Sequence, residues 1–364
     1  MRRVLLAIVV VCATVLFAPT SFVHAQQVET AARDQLVLPA PKPGHARPLV
    51  VVVADSGGAE TTDFVVPYGV LRESGAADVR SVSTAPGPVQ LMMQLRVQPD
   101  ETTAHFDART PEGADIIIVP AQMQPKSPSL VAWLQSQAAH GATIVSICEG
   151  ARVLAAAGLL HGKRATTHFH ALRELERAYP DTIWVRDRRY VQDGRIISTT
   201  GVSASIPVSL ALVEAIAGRA AAETTALRVG VAEWGTAHRT ADFRITAGDY
   251  ATGLYNLAAF WRHETLETPI ENGVDEIQLA LRTDAWGRSF RTNIVTTHAG
   301  ATPVRSRNGL VIVPDAAPRA GARLLPTANG APAAQLEATF AAMRQRYGDG
   351  AERLARLGME YDRP

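Results

Sequence analysis

The sequence has few cysteines, no excess of basic residues and no long apolar run beyond its N-terminal stretch. Each of these scarcities excludes a class of structure or function. There are two cysteines in 364 residues, Cys12 and Cys148, and Cys12 lies in an apolar N-terminal stretch. Lysine and arginine together number 36 against 35 acidic residues, so no basic excess marks a nucleic-acid surface. Beyond the N-terminal stretch, no apolar run approaches the ~20 residues that a membrane-spanning helix requires. We therefore expect no nucleic-acid partner and no stable membrane insertion after removal of a leader.

Residues 1–25 have the pattern of a cleavable signal peptide. Met1-Arg2-Arg3 is basic, Val4–Ala18 is apolar, and Val23-His24-Ala25 fits a small-residue cleavage site. We expect a periplasmic or secreted protein, whose mature chain has no second cysteine for an intrachain disulfide. An unpaired thiol in such a protein is buried, joined to another chain or kept for its reactivity.

Strand and helix patterns alternate between residues 48 and 219. The preceding residues 26–47 are polar and then rich in proline, which predicts an exposed linker. The apolar run Leu49–Ala54 is typical of a strand that is buried on both faces. Because strands and helices alternate from there onward, the pattern predicts a doubly wound α/β domain over 48–219.

Residues 220–364 form a C-terminal region of unknown role. Gly309–Pro314 repeats the strand-then-proline pattern of Asp115–Pro120, and Gly273–Leu279 resembles Gly58–Asp63. These similarities indicate a truncated, degenerate repeat of the first domain, but two unrelated α/β segments can look equally alike. Both interpretations stay open.

Cys148 lies where a predicted strand turns into a predicted helix. Gly141–Ile147 is an apolar strand pattern, and Glu149–Ala157 is rich in helix formers. A thiol at such a corner lies beside the N–H groups of a helix N-terminus, which favour the thiolate and lower the thiol pKa. We therefore predict a reactive cysteine rather than a small buried hydrophobic residue.

Four parts of the sequence carry a family resemblance: Gly58–Pro67, Ser146–Ala151, Ala157–His168, and Asp193–Gly201 with Leu210–Gly218. They resemble the ThiJ/PfpI family of the class I glutamine amidotransferase-like superfamily, especially the branch found at the front of AraC-type regulators. The resemblance implies a flavodoxin-like parallel sheet with a nucleophile elbow. It also implies a homodimer, unless the second half of the chain covers the surface that relatives use. A regulator is disfavoured, because residues 220–364 show no pair of helix-turn-helix units.

The resemblance implies a catalytic set of three residues. Cys148 would be the nucleophile, Asp63 the carboxyl partner of its sulfur, and His168 a neighbouring base or polar contact. A carboxyl group within reach of a thiol can hold it, exchange a proton with it and stabilise an oxidised sulfur. Asp63 by itself could also be explained as an acidic residue at a helix N-terminus.

The same resemblance places four residues around the pocket: Glu149, Ala121, Gly150 and Gly201. The backbone N–H groups of Glu149 and Ala121 would stabilise developing negative charge. The chain departs from the family at Pro120-Ala121-Gln122, where relatives commonly have Pro-Gly-Gly. It departs again at Glu149, whose carboxylate should raise the thiol pKa and repel anionic substrates.

Two functions stay open. The first is a cysteine-dependent hydratase or hydrolase that acts on a small molecule such as an isonitrile, an amide or a reactive carbonyl. The second is a non-enzymatic oxidation sensor, stress protein or ligand-binding protein that uses the same cysteine pocket. A metal held by His168, His170 and Cys148 is disfavoured, because no further ligand is on offer, and we expect no other cofactor.

Overall fold

The computed structural model describes residues 35–92 and 95–362. Its strands are β1 Leu49–Ala54, β2 Asp78–Ser83, β3 Val89–Gln90, β4 Arg96–Gln98, β5 Glu101–Thr102, β6 Ile116–Val119, β7 Thr143–Ser146, β8 Arg164–Ala165, β9 Ile183–Trp184, β10 Tyr190–Asp193, β11 Ile196–Thr199, β12 Glu264–Pro269, β13 Thr292–Thr297, β14 Val304–Arg305 and β15 Val311–Ile312. Its α-helices are α1 Thr61–Ser74, α2 Thr103–Arg109, α3 Pro128–Ala139, α4 Ala151–Ala156, α5 Phe169–Ala178, α6 Ser205–Ala217, α7 Arg219–Val229, α8 Ala247–Ala258, α9 Glu276–Gly287, α10 Gln335–Tyr347 and α11 Asp349–Met359.

The central sheet has seven strands in the order β10-β11-β7-β6-β1-β2-β5. Neighbouring strands are parallel except for β10 and β11, which a tight turn connects at Gly194 with a φ of 62°. All six residues of β1 are buried, as expected for a parallel strand with helices on both faces.

Helices cover both faces of this sheet. Val50 and Val52 belong to one core with residues of α1 and α6, whereas Val51 and Val53 belong to a second core with residues of α3 and α4. The division follows from the strand geometry, because alternate side chains point to opposite faces. Burying each valine contributes about 1.5–3 kcal/mol. The predicted doubly wound α/β fold is confirmed.

The C-terminal region has part of the element order of the first half. β12, α9 and β13 follow one another as β1, α1 and β2 do, and the two strands are parallel in each copy. β14 and β15 then correspond to β3 and β4. The elements β12, α9, β14 and β15 each begin 215 residues after β1, α1, β3 and β4. This constant spacing supports the interpretation of the region as a truncated repeat.

The corresponding elements of the first half and of the C-terminal region contact each other. β4 pairs antiparallel with β15, and Val97 lies opposite Ile312, the residue 215 positions later. α1 packs against α9, and Thr62 Oγ1 donates a hydrogen bond to Asp284 Oδ2 at 3.2 Å. Contact between equivalent surfaces is what a twofold axis produces between identical subunits. Here one chain supplies both surfaces, so the C-terminal region covers a face of α1 within the chain.

The N-terminal predictions fall only partly within the described residues. The predicted signal peptide at 1–25 lies outside them. Most of residues 35–47 in the predicted linker are exposed, but Leu36 is buried, and Asp115 Oδ1 accepts a hydrogen bond from the Lys42 N–H at 2.7 Å. From Leu36 onward the chain belongs to one compact unit. In the part of the chain that is described, no helix has the length and apolar character needed to span a bilayer.

Candidate active site

Cys148 forms a sharp turn between β7 and α4. Its φ of 56° lies in the left-handed region that residues other than glycine seldom adopt. The Cys148 N–H donates to the Thr200 carbonyl at 3.1 Å and to Thr199 Oγ1 at 3.2 Å. Thr167 Oγ1 donates to the Cys148 carbonyl at 3.0 Å. These bonds hold the strained backbone of a nucleophile elbow, in which one side chain projects from a strand-to-helix turn.

Gly150 and Gly201 shape the backbone around this elbow. A Cβ on Gly150 would overlap the Val119 carbonyl oxygen, and a Cβ on Gly201 would lie 2.5 Å from Glu360 Cβ. Their N–H groups donate to the Ile147 carbonyl at 2.8 Å and to Glu360 Oε2 at 2.6 Å. Both N–H groups therefore have acceptors within the protein, and neither glycine lines the cavity described below. The structure does not place Gly150 and Gly201 around the pocket, where the resemblance had placed them.

Asp63 is fully buried in the first turn of α1 and interacts electrostatically with Cys148. Its N–H donates to Glu60 Oε2 at 2.6 Å. Its carboxylate accepts the Ala121 N–H at 3.2 Å and the Ser205 hydroxyl at 3.4 Å. Burial raises the pKa of Asp63 to about 7, although the hydrogen bond from Ala121 acts to lower it. A carboxyl group with this pKa can give up and accept a proton at neutral pH.

The loop Pro120-Ala121-Gln122 supports Asp63, and its Ala121 and Gln122 also line the cavity described below. Because the Ala121 N–H donates to Asp63, it is not free to form half of an oxyanion hole, and that part of the prediction is wrong. The Gln122 side chain secures the loop by accepting the Asp55 N–H at 2.8 Å and donating to the Val53 carbonyl at 3.2 Å. The loop thus keeps its position without the glycines common in relatives.

A buried arginine from the C-terminal repeat reaches the acidic residues of the first half. Arg288, directly after α9, donates to Glu60 Oε1 at 2.9 Å, to Asp284 Oδ1 at 2.9 Å and to the Gly358 carbonyl at 2.6 Å. The sequence interpretation missed both Glu60 and Arg288. Glu60 could have been found as the helix-capping residue in Glu60-x-x-Asp63, but Arg288 lies 228 residues from Glu60 and carries no local signal.

Among the residues described above, this cluster holds three acidic side chains, Glu60, Asp63 and Asp284, but one cation, Arg288. Burial, followed by the neighbouring carboxylates, raises the pKa of Glu60 well above its usual range. Burial also raises the pKa of the Cys148 thiol, and the Asp63 carboxylate adds to the effect, whereas Arg288 opposes it. The expectation of a lowered thiol pKa is therefore wrong, because burial and like charge outweigh the helix N-terminus.

Glu149 is a paired carboxylate beside the cysteine. Its Oε2 accepts Arg152 Nε at 2.6 Å, and its Oε1 lies 3.4 Å from His170 Nδ1. Burial alone would raise the pKa of Glu149, but the bonds to His170 and Arg152 and the nearby His168 bring it down to about 2. The Glu149 carboxylate also raises the pKa of the Cys148 thiol, as the sequence predicted.

His168 is a buried histidine with one engaged ring nitrogen. It caps α5, and its Nδ1 accepts the His170 N–H at 3.2 Å, which assigns the ring proton of the neutral form to Nε2. Burial lowers the pKa of His168, so the neutral form prevails at neutral pH. His168 Nε2 lies 4.0 Å from Glu360 Oε2 and has no hydrogen-bond partner within the described residues.

These side chains meet at a cavity of about 480 Å³. Its polar lining comes from Glu60, Gln122, Cys148, Glu149, His168, His170, Asp249 and Arg288, whereas the fully buried Asp63 is not part of the lining. Its apolar lining comes from Met92, Phe169, Ile245, Tyr250, Leu254, Leu257, Phe290, Leu354 and Leu357. Within 35–92 and 95–362, no group of three or more potential metal-ligating side chains is present.

The chain is similar to several known proteins. Residues 49–215 match the model of the DJ-1/PfpI family. The chain is 34% identical over 173 residues to an isonitrile hydratase of Pseudomonas putida, which covers 46% of this chain and 72% of the relative. It is 37% identical over 102 residues to the HTH-type transcriptional regulator CdhR of Pseudomonas aeruginosa, which covers 27% of this chain and 30% of the relative. The crystal structure of Drosophila melanogaster DJ-1beta is 23% identical, covers 51% of this chain and 99% of its own, and has a TM-score of 0.46.

Proposed function

Because this chain belongs to the DJ-1/PfpI family, we propose that it is a cysteine-dependent hydratase or hydrolase of a small neutral molecule, with an isonitrile as the first candidate. One arrangement carries the proposal: Cys148 lies on a strained elbow at a cavity, beside the buried carboxyl group of Asp63. The relative from Pseudomonas putida is named for isonitrile hydration and shares 34% of its residues over the aligned region.

The proposed reaction converts an isonitrile, R–N≡C, and water into the formamide R–NH–CHO. The Cys148 sulfur bonds to the terminal carbon, that carbon takes a proton from Asp63, and the thiol proton replaces it on Asp63. The product of this step is R–N=CH–S–Cys148. Water then adds to the same carbon, a water proton passes to nitrogen, the C–S bond breaks, and the sulfur recovers a proton. No oxidant or reductant enters the balance.

The chain's own residues match the demands of these steps. Asp63 must act first as an acid and then as a base, and a pKa of about 7 leaves both forms populated at neutral pH. A neutral thiol suits an addition in which sulfur and proton are delivered together. His168 Nε2, buried and without a protein partner among the described residues, can donate a hydrogen bond to the developing charge. The Glu149 N–H, in the first turn after the elbow, is the remaining backbone candidate for that role.

The oxidation sensor is the weaker candidate. Oxidation and alkylation require the thiolate, and burial together with neighbouring carboxylates raises the thiol pKa of Cys148. A sensor thiol would benefit from the opposite shift. The site is therefore better suited to chemistry in which the thiol is deprotonated only as it reacts.

We also propose that the protein is exported. The support is the basic, apolar and small-residue pattern of residues 1–25. N-terminal sequencing of protein recovered from the periplasm or medium should begin at Gln26, and an intact N-terminus on protein recovered from the cytoplasm would contradict export.

Formation of N-hexylformamide from hexyl isonitrile tests the proposed activity. We expect turnover by the wild-type protein and a fall to the uncatalysed rate in Cys148→Ala and Cys148→Ser. Leu227→Ala changes an exposed leucine on α7 that lies outside the cavity and should retain the wild-type rate. Equal rates in the wild-type protein and Cys148→Ala would refute catalysis by this cysteine.

A further inference from the structure

The C-terminal region supplies most of the apolar wall of the cavity over Cys148. Seven of its residues contribute large apolar side chains: Ile245, Tyr250, Leu254, Leu257, Phe290, Leu354 and Leu357. The half that carries Cys148 contributes mainly polar groups to the same cavity. The site therefore has a polar end at the cysteine and an apolar end built by the added region.

One face of α8 dominates this apolar end. Tyr250, Leu254 and Leu257 are spaced by four and three residues, which places them on a single helix face. They are 60%, 67% and 55% exposed, and Phe290 nearby is 37% exposed. Large apolar side chains that are exposed together, next to a catalytic cavity, indicate a surface that a ligand covers.

Polar contacts near both ends of α8 fix this face in place. Thr246 and Asp249 form a capping box at the start of the helix, and Arg353 Nε donates to Asp249 Oδ1 at 2.7 Å. Asn256 Nδ2 donates to the Ser289 carbonyl at 2.9 Å. Because these bonds position the helix before any ligand arrives, a bound apolar group would meet a preformed wall.

The charged side chains Glu60, Glu149 and Arg288 at the polar end each have a hydrogen-bond partner within the protein. Arg288 donates to Glu60, Asp284 and the Gly358 carbonyl, so its guanidinium group is already engaged within the protein. Glu149 is paired with Arg152, so it offers little to an ammonium group. His168 Nε2 is buried at the cavity, 6% of the residue being exposed, and it lacks a hydrogen-bond partner in the described part of the chain. A neutral polar head fits this end best.

We propose that the ligand is a neutral molecule with a polar head at Cys148 and His168 and a chain-like or bulky apolar tail on the α8 face. This inference deepens the proposed function by naming a substrate class for the same site. It requires tail binding at Tyr250, Leu254 and Leu257, which the Cys-bearing half alone cannot supply.

Calorimetric titration of the Cys148→Ala full-length protein with N-ethyl-, N-butyl-, N-hexyl- and N-octylformamide tests the proposal. Each added methylene that becomes buried should lower Kd by up to about fourfold. Octanoate and octylammonium should bind at least tenfold more weakly than N-octylformamide, because their charges find no unpaired partner. Since this variant performs no cysteine chemistry, its binding results are independent of whether isonitriles are hydrated.

A matched pair of variants locates the tail. In the Cys148→Ala background, Leu254→Ser with Leu257→Ser should flatten the dependence of Kd on chain length. Leu227→Ser, at a leucine that is 79% exposed on α7 and outside the cavity, should preserve it. A Kd that does not change with chain length, or a chain-length dependence that survives in the double variant, would overturn the proposal.

Discussion

Replacing Asp63 by asparagine should alter how folding stability depends on pH. Burial raises the pKa of Asp63 to about 7 from an ordinary value of 3.8. Between these values the native protein holds a proton that the unfolded chain releases, so the free energy of unfolding falls as the pH rises. The stability that this proton contributes is fully present below the pKa that Asp63 has in the unfolded chain. It is lost as the pH rises through the native pKa of about 7.

The size of the effect follows from the same shift. One retained proton gives a slope of about 1.4 kcal/mol per pH unit, and a window of roughly three units gives at most about 4 kcal/mol. Glu60, whose pKa is also raised and whose side chain bonds to the Asp63 N–H, shares this proton binding. We therefore expect Asp63→Asn to remove a part of the slope and Asp63→Asn with Glu60→Gln to remove more.

Denaturant unfolding at pH values from about 5 to 8 measures this slope. As the pH rises, the free energy of unfolding of the wild-type protein should fall relative to that of Asp63→Asn. Ser205→Ala is the control, because it removes a hydroxyl donor to Asp63 and leaves the titrating group in place. Parallel stability curves for wild type and Asp63→Asn would refute the assignment of a protonated, buried carboxyl group.

Two further substitutions probe the packing around the site by denaturant unfolding. Arg288→Met should cost about 3–5 kcal/mol, because it leaves Glu60 and Asp284 buried without their cation; a loss below about 1 kcal/mol would contradict this. Gly150→Ala should cost about 1–3 kcal/mol, because the new methyl group overlaps a carbonyl oxygen of β6. Gly235→Ala, where a Cβ would meet no atom within 4 Å, should change stability little, and equal effects of the two glycine substitutions would contradict the steric argument.

The local features of the fold could be predicted because their causes are local. The apolar run Leu49–Ala54 is a central strand with the predicted bounds. The strand, small-residue corner and helix around Cys148 likewise depend on neighbours in sequence. Such elements follow from residue periodicity and turn chemistry alone.

The C-terminal region shows where this approach fails. Its last two helices are separated at Gly348, whose φ of 91° ends α10 and starts α11, and one glycine in a charge-rich stretch does not by itself indicate that break. The antiparallel pairing of Val97 with Ile312 depends on the whole chain being folded. The possible homodimer stays a prediction, although the repeat already covers one face of α1 within the chain.

The electrostatics of the site were hardest to predict. The sequence placed Cys148 at a helix N-terminus and near Glu149, two effects that oppose each other. It gave no sign that Glu60 and Arg288 would also act on the sulfur, since Arg288 belongs to the other repeat. The direction of the thiol pKa therefore depends on contacts between residues far apart in the chain.

The rate of Cys148 alkylation by iodoacetamide, measured against pH in three proteins, tests the coupling of this thiol to both halves of the chain. In the wild-type protein the thiol pKa should lie above its ordinary value. Asp63→Asn should lower it by removing a carboxylate, whereas Arg288→Met should raise it further by removing the opposing cation. A wild-type pKa below the ordinary value, or shifts in the same direction in both variants, would contradict the account of a protonated thiol on which Asp63 and Arg288 have opposite effects.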